Sequence, residues 1–170
     1  MDINKEQLAI PLGVGDVKEL ARTVDVEMLA GYLWDDDERV ARNAAWTLTH
    51  KDDFEVCALP QDRLIDLAMA TPCTPLRRMT LQLLVRQEMT EESLRSDFLD
   101  FCLTHMVALE EPSGVQSTCM KLAYRMCSFY PEMQHEFQET LSLMHKEHYK
   151  PGLTYLMKKL DRAGEREVSE

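Results

Sequence analysis

The sequence predicts an all-α fold, an α-α superhelix (solenoid) of about four helix pairs, on three observations. Glycine and proline are few, 6 and 7 against 11 Met, and the β-branched aliphatics are sparse beside Leu, Ala, Glu and Arg, which favours helix. Apolar residues recur at spacings of three and four, with no strand alternation and no Asn-Gly hairpin signal. Finally, the segments that follow the turns align with one another at offsets of 36, 39 and 37 residues, the length of a helix pair.

The elements follow in order. Met28, Leu29, Tyr32 and Leu33 form one apolar stripe, and Val40, Ala44, Trp46 and Leu48 belong to a second segment after the acidic run Asp35-Asp36-Asp37-Glu38. That run stands where the second helix begins, so its carboxylates cap free N–H groups and oppose the positive end of the dipole. Leu59-Pro60, Thr71-Pro72-Cys73-Thr74-Pro75 and Met89-Thr90 bracket two further stretches of helix length. Thr74 is expected as a cap with Pro75 in the first turn, and Ser113 with Gln116 has capping-box spacing. Tyr130-Pro131 and Lys150-Pro151-Gly152 mark two more helix starts. The predicted helices are 17–23, 26–34, 37–50, 61–70, 75–87, 91–109, 114–128, 132–148 and 152–162.

At 170 residues the chain is expected to be one domain, 1–170, long enough to bury a core without staples. Residues 1–23 would cap the first repeat, 24–162 would hold four repeats, and 163–170 would be a polar tail that frays. Thirty acidic against 19 basic residues leave a formal charge of −11, which disfavours nucleic acid. The start of the sequence lacks the basic and apolar regions of a signal peptide, and no run of ~18 apolar residues occurs. Cys57, Cys73, Cys102, Cys119 and Cys127 are odd in number, lie among apolar neighbours and form no C-x-x-C, which suits buried, reduced thiols. A cytoplasmic location is the expectation, with no membrane partner.

Aligned by the period, Val40–Leu48 stands beside Leu76–Leu84, Val115–Ala123 and Gly152–Leu160, and the preceding helices match at Leu29, Ile65, Thr104 and Leu141. The stretch Leu33–Leu48, an acidic turn followed by Val-x-Arg-x-x-Ala-x-x-x-Leu, resembles the HEAT-like (armadillo-type) α-helical repeat family. The second repeat keeps the arginine in Leu76-Arg77-Arg78 but replaces the acidic turn by prolines, and the third and fourth carry Ser117 and Thr154 instead. The resemblance spans about 24–162 and implies a solenoid whose second helices line a concave face. Such folds host scaffolds, peptide binders and one class of DNA-alkylation glycosylases, so fold alone selects no function.

Stepping four residues along each second helix gives three columns: Arg42, Arg78, Ser117, Thr154; Trp46, Gln82, Lys121, Lys158; and His50, Arg86, Arg125, Arg162. Seven of the twelve are Arg or Lys and none is acidic. The sharp reading is a basic groove for an acidic peptide or protein segment, held by Arg42, Arg78, Arg86, Lys121, Arg125 and Lys158 with Trp46 as aromatic anchor. The plain reading is that these cations oppose helix C-termini, bond the acidic turns and solvate the surface.

Catalytic signals are few, and a non-catalytic scaffold without cofactor is expected. His145 and His148, one turn apart, would need a third ligand such as Glu147 to hold a metal, but no H-E-x-x-H or similar motif completes the set, and no nucleotide-binding or nucleophile-elbow motif occurs. A glycosylase-like alternative would use Trp34 or Trp46 with a carboxylate of Asp35–Asp37. A third reading is a structural subunit of an oligomer. Met120, Met126, Met133, Met144 and Met157 fall at core spacing or form an adaptable surface.

Overall fold

The computed structural model describes residues 2–168, all helix and connection, with no strand among the described residues. The helices are α1 (Lys5–Ala9), α2 (Val14–Thr23), α3 (Val26–Gly31), α4 (Glu38–Leu48), α5 (Asp53–Cys57), α6 (Gln61–Ala70), α7 (Thr74–Arg86), α8 (Ser96–Val107), α9 (Ser113–Cys127), α10 (Pro131–Leu143) and α11 (Pro151–Val168). Short 3-10 turns follow α3 at Tyr32–Trp34 and α10 at Lys146–His148. The chain divides into two compact units, Met1–Glu88 and Met89–Glu170. Each contains two of the predicted helix pairs.

In the first unit α3 pairs with α4 and α6 with α7, while α4 packs on α7. In the N-terminal segment α1 and α2 both pack against α4. Asp37 caps α4 by accepting from the N–H groups of Arg39 and Val40 at 2.9 and 3.4 Å. Leu8, Leu29, Leu33, Val40, Leu48, Leu64, Leu81 and Leu84 are fully buried, each leucine contributing about 1.5–3 kcal/mol. Polar side chains then stitch the connections to the helices. Buried Asn43 donates to the carbonyls of Leu8 and Ile10 at 2.8 and 2.9 Å, and buried Gln87 donates to those of Val56 and Leu59, both at 2.9 Å.

In the second unit α8 pairs with α9 and α10 with α11, and α9 also packs on α10 and α11. Phe98, Met106, Met120, Leu122 and Phe137 fill the core. Leu29, Ile65 and Leu141 are buried at their shared register while Thr104 is exposed, so the polar member of that column faces outward. Met120, Met126, Met144 and Met157 are buried and Met133 is half-buried, so four of these methionines pack the core.

Several local expectations need correction. Cys73, not Thr74, stands at the N-cap of α7, and Pro75 lies one residue further in. Ser113 and Gln116 form no capping box: Ser113 is already helical, and Gln116 Nε2 donates to Ala108 O at 2.7 Å. The helix predicted at 91–109 begins only at Ser96, and that at 132–148 ends at Leu143. The tail does not fray within the described residues, because α11 continues to Val168 with Gly164 buried against Gln138 of α10. A side chain at 164 would overlap that amide; Ser169 and Glu170 lie outside the described residues. Cys57 is exposed, whereas Cys73, Cys102, Cys119 and Cys127 are buried free thiols.

Two predictions follow from this packing. Asn43→Ala removes the donor from two carbonyls beside the core and should cost about 2 kcal/mol, read as a lower urea midpoint at unchanged slope. Burial, reinforced by the Glu136 carboxylate, pushes the Cys127 thiol from its ordinary 9.0 up to about 11. An unfolded thiol ionises first, so this group's contribution is complete below pH 9.0 and is lost as the pH rises to about 11. Unfolding midpoints measured across that window should fall more steeply for the native chain than for Cys127→Ala.

Candidate functional site

The structure gathers three of the predicted site residues around one cleft of the first unit. Arg42 and Trp46 lie one turn apart on α4, and Arg78 projects from α7, which packs against α4. With Pro11, Leu12, Asn43, Pro75 and Met79 they enclose a cleft of about 350 Å³. The local cause is the Asn43 clamp: by holding the carbonyls of Leu8 and Ile10 it sets Pro11 and Leu12 at the rim. Trp46 is half-buried, and its ring meets His50 edge-on at 6.5 Å.

Charge distinguishes this cleft from its surroundings. Among the described residues the guanidinium groups of Arg42 and Arg78 make no ion pair, whereas their neighbours are committed to the fold. Arg77 donates to Ala68 O at 3.0 Å and Thr71 O at 2.7 Å, tying the end of α6 to α7. Arg78, about 100° further round the helix, faces the cleft. Two free guanidiniums, an indole and two prolyl rings can take a carboxylate together with the apolar part of its chain.

The remaining predicted residues are placed elsewhere. Arg86 is a clasp: Nε donates to Asp53 at 2.7 Å, Nη1 to Thr49 O at 3.0 Å and Nη2 to Lys51 O at 2.5 Å. It therefore opposes a helix C-terminus, but that of α4 rather than its own. Arg162 lies inside α11, since that helix outruns the predicted end. Within the second unit Lys121 lines a cleft beside Lys150, Tyr155 and Lys159, and Lys158 lines a smaller depression along α11. Half-buried Arg125, in the last turn of α9, lines neither.

Sequence reasoning missed Pro11, Leu12 and Met79, which come from a connection and from between the columns. It also missed Lys150, Tyr155 and Lys159. Stepping by four selects Lys158 and skips the adjacent lysine, and Lys150 reads only as the lead-in to a helix.

The Trp34 turn is closed by its own residues. The guanidinium of Arg63 lies 3.7 Å from the Trp34 ring centroid, and Lys5 pairs with Asp35 at 2.6 Å. That hydrogen bond, with a second from the Asp37 N–H, holds the Asp35 carboxyl below its usual range, and Asp37 is spent on capping α4. Of the carboxylates that the glycosylase-like reading names, those of Asp35 and Asp37 are committed in this way. His145 and His148 approach to 5.7 Å between ring centroids outside α10, and among the described residues no three His, Cys, Asp or Glu side chains are grouped to hold a metal.

Successive helix pairs, with the second helix of one pair on the second helix of the next in the first unit, define a helical-repeat protein. Residues 4–163 match the family model of the HEAT repeat domain, and the chain belongs to that family. No curated protein and no solved structure matches it. Among the described residues no helix is long and apolar enough to cross a membrane.

Replacing Arg86 tests its placement. Arg86→Ala frees two carbonyls at the end of α4 and should destabilise the first unit by about 2 kcal/mol, nearly all from the carbonyl bonds because Asp53 is exposed. Asp53→Ala, measured by the same thermal unfolding, should change stability little.

Proposed function

We propose that the protein is a non-catalytic interaction module that binds an acidic segment of a partner protein in the cleft of Arg42, Trp46 and Arg78. HEAT repeat proteins are helical repeat proteins often used for protein interaction, and the observation that carries the finer reading is the pair of uncommitted guanidiniums beside an indole. Each guanidinium offers a fork for a carboxylate, and Pro11, Leu12, Pro75 and Met79 shelter those bonds from water. Lys121, Arg125 and Lys158 are the cations this reading assigns to the second unit. The buried thiols support a reducing compartment, and the reading places the protein in the cytoplasm.

Selection of random displayed peptides against the full chain tests the reading. Recovered sequences should be enriched in Asp and Glu, and Arg42→Gln/Arg78→Gln should weaken them at least about tenfold, two charge-assisted bonds being lost. Trp46→Ala should weaken the same peptides with the melting temperature little changed. Peptides with no acidic enrichment, or acidic peptides that bind the double variant as tightly, would overturn it.

A further inference from the structure

The cations of residues 89–170 are gathered on one surface. Lys121 of α9, Lys150 just before α11 and Lys159 of α11 surround a cleft of about 670 Å³, together with the hydroxyl side chains of Ser113 and Ser117. Tyr155, 71% exposed, stands beside them, and Pro151, Leu153 and Leu156 make an apolar wall. Tyr155 and Lys159 also border a depression of about 230 Å³, completed by Lys158, Arg162 and Arg166. No Asp or Glu lines either cavity. Only Arg95, Arg125 and Lys146 of this stretch's cations lie elsewhere.

Among the described residues none of Lys121, Lys150 and Lys159 makes an ion pair. Three ammonium groups held together without a partner repel one another, and an anion in their midst removes that cost. Its kind follows from their chemistry. Lysine is a compact point charge without the planar fork that suits a carboxylate, whereas a phosphoryl group concentrates a charge of about −1.5 to −2 and three acceptor oxygens at one point. An extended polyanion would overrun the cleft onto a chain of net charge −11. A free phosphate ion would leave the apolar wall and Tyr155 unused.

We propose that this cleft receives a phosphorylated side chain on a segment of a partner protein, its flanking residues packing on Tyr155 and Leu156. The proposal rests on the reading of the chain as a protein-interaction module and adds that the partner's modification state controls the interaction.

The test titrates the full chain with fluorescent peptide pools of random flanks, fixed at the centre on phosphoserine, on phosphotyrosine or on the unmodified residue. One phosphorylated pool should bind at least about tenfold tighter than its unmodified counterpart. That gain should vanish in Lys121→Gln/Lys159→Gln and shrink in Lys150→Gln, whose site in the turn before α11 keeps the test valid if the double variant fails to fold. Equal binding of modified and unmodified pools, or a gain that survives in a folded double variant, overturns the proposal. So does oligothymidylate that binds more tightly than the phosphorylated pool, which marks a polyanion surface, or inorganic phosphate that displaces the pool at equal concentration, which marks a site for the free ion. Arg42→Gln/Arg78→Gln separates the two sites: it should weaken acidic-peptide binding at least about tenfold while leaving the phosphate-dependent gain intact. Failure of the acidic peptides in the native chain therefore tells against the first cleft alone.

Discussion

No helix in this chain can bury its apolar stripe by itself, and the rest of the structure depends on that constraint. Described helices run from five residues in α1 and α5 to 18 in α11, and in water segments shorter than ~12–15 residues are marginal even with good propensity. Stability has to come from neighbours. In the first unit α4 supplies it, because α1, α2, α3 and α7 all pack on it, and seven of its eleven residues are buried. A helix so surrounded has little surface left. The strip it leaves open carries Arg42 and Trp46, so the candidate cleft stands on the most heavily buttressed element of its unit, where side chains are held in place without a ligand.

The same economy divides the polar residues. Buried amides close the backbone groups that short connections leave unpaired, as Asn43, Gln87 and Gln116 do for the ends of α1, α5 and α8. Arginines do so at helix C-termini, Arg77 for α6 and Arg86 for the end of α4. In both roles a side chain whose type suggests binding is spent on folding. Of the cations left over, Arg42 and Arg78 stand at one cleft and Lys121, Lys150 and Lys159 at another.

That division explains what could be read from the sequence. The period of 36 to 39 residues, the capping role of Asp37 and the burial of Leu29, Ile65 and Leu141 were legible because each follows from local pattern. Helices α1 and α5 were not, since five residues span too few turns to show a stripe. The extension of α11 was hidden as well: Gly164 reads as a breaker, and only the nearness of Gln138 from α10 makes its lack of a side chain an asset. The basic columns could not separate cations that serve the fold from those that do not, for a related reason. Helical spacing finds residues that share a face, but whether Arg86 faces a ligand or the carbonyls of Thr49 and Lys51 depends on α4, 35 or more residues away in sequence.

The two clefts also differ in what they can discriminate. The first offers planar guanidiniums, an indole and prolyl rings, a setting that rewards the flat geometry of a carboxylate and tolerates little shift. The second offers ammonium groups on long flexible stems with two hydroxyls, a setting that rewards charge density over shape. On a body with a net charge of −11, a weakly charged anion gains too little at either cleft to offset repulsion from the rest of the surface. Under the two proposals, selectivity would come from the acidic body as much as from the basic clefts, favouring ligands whose negative charge is compact and lies where the cations are.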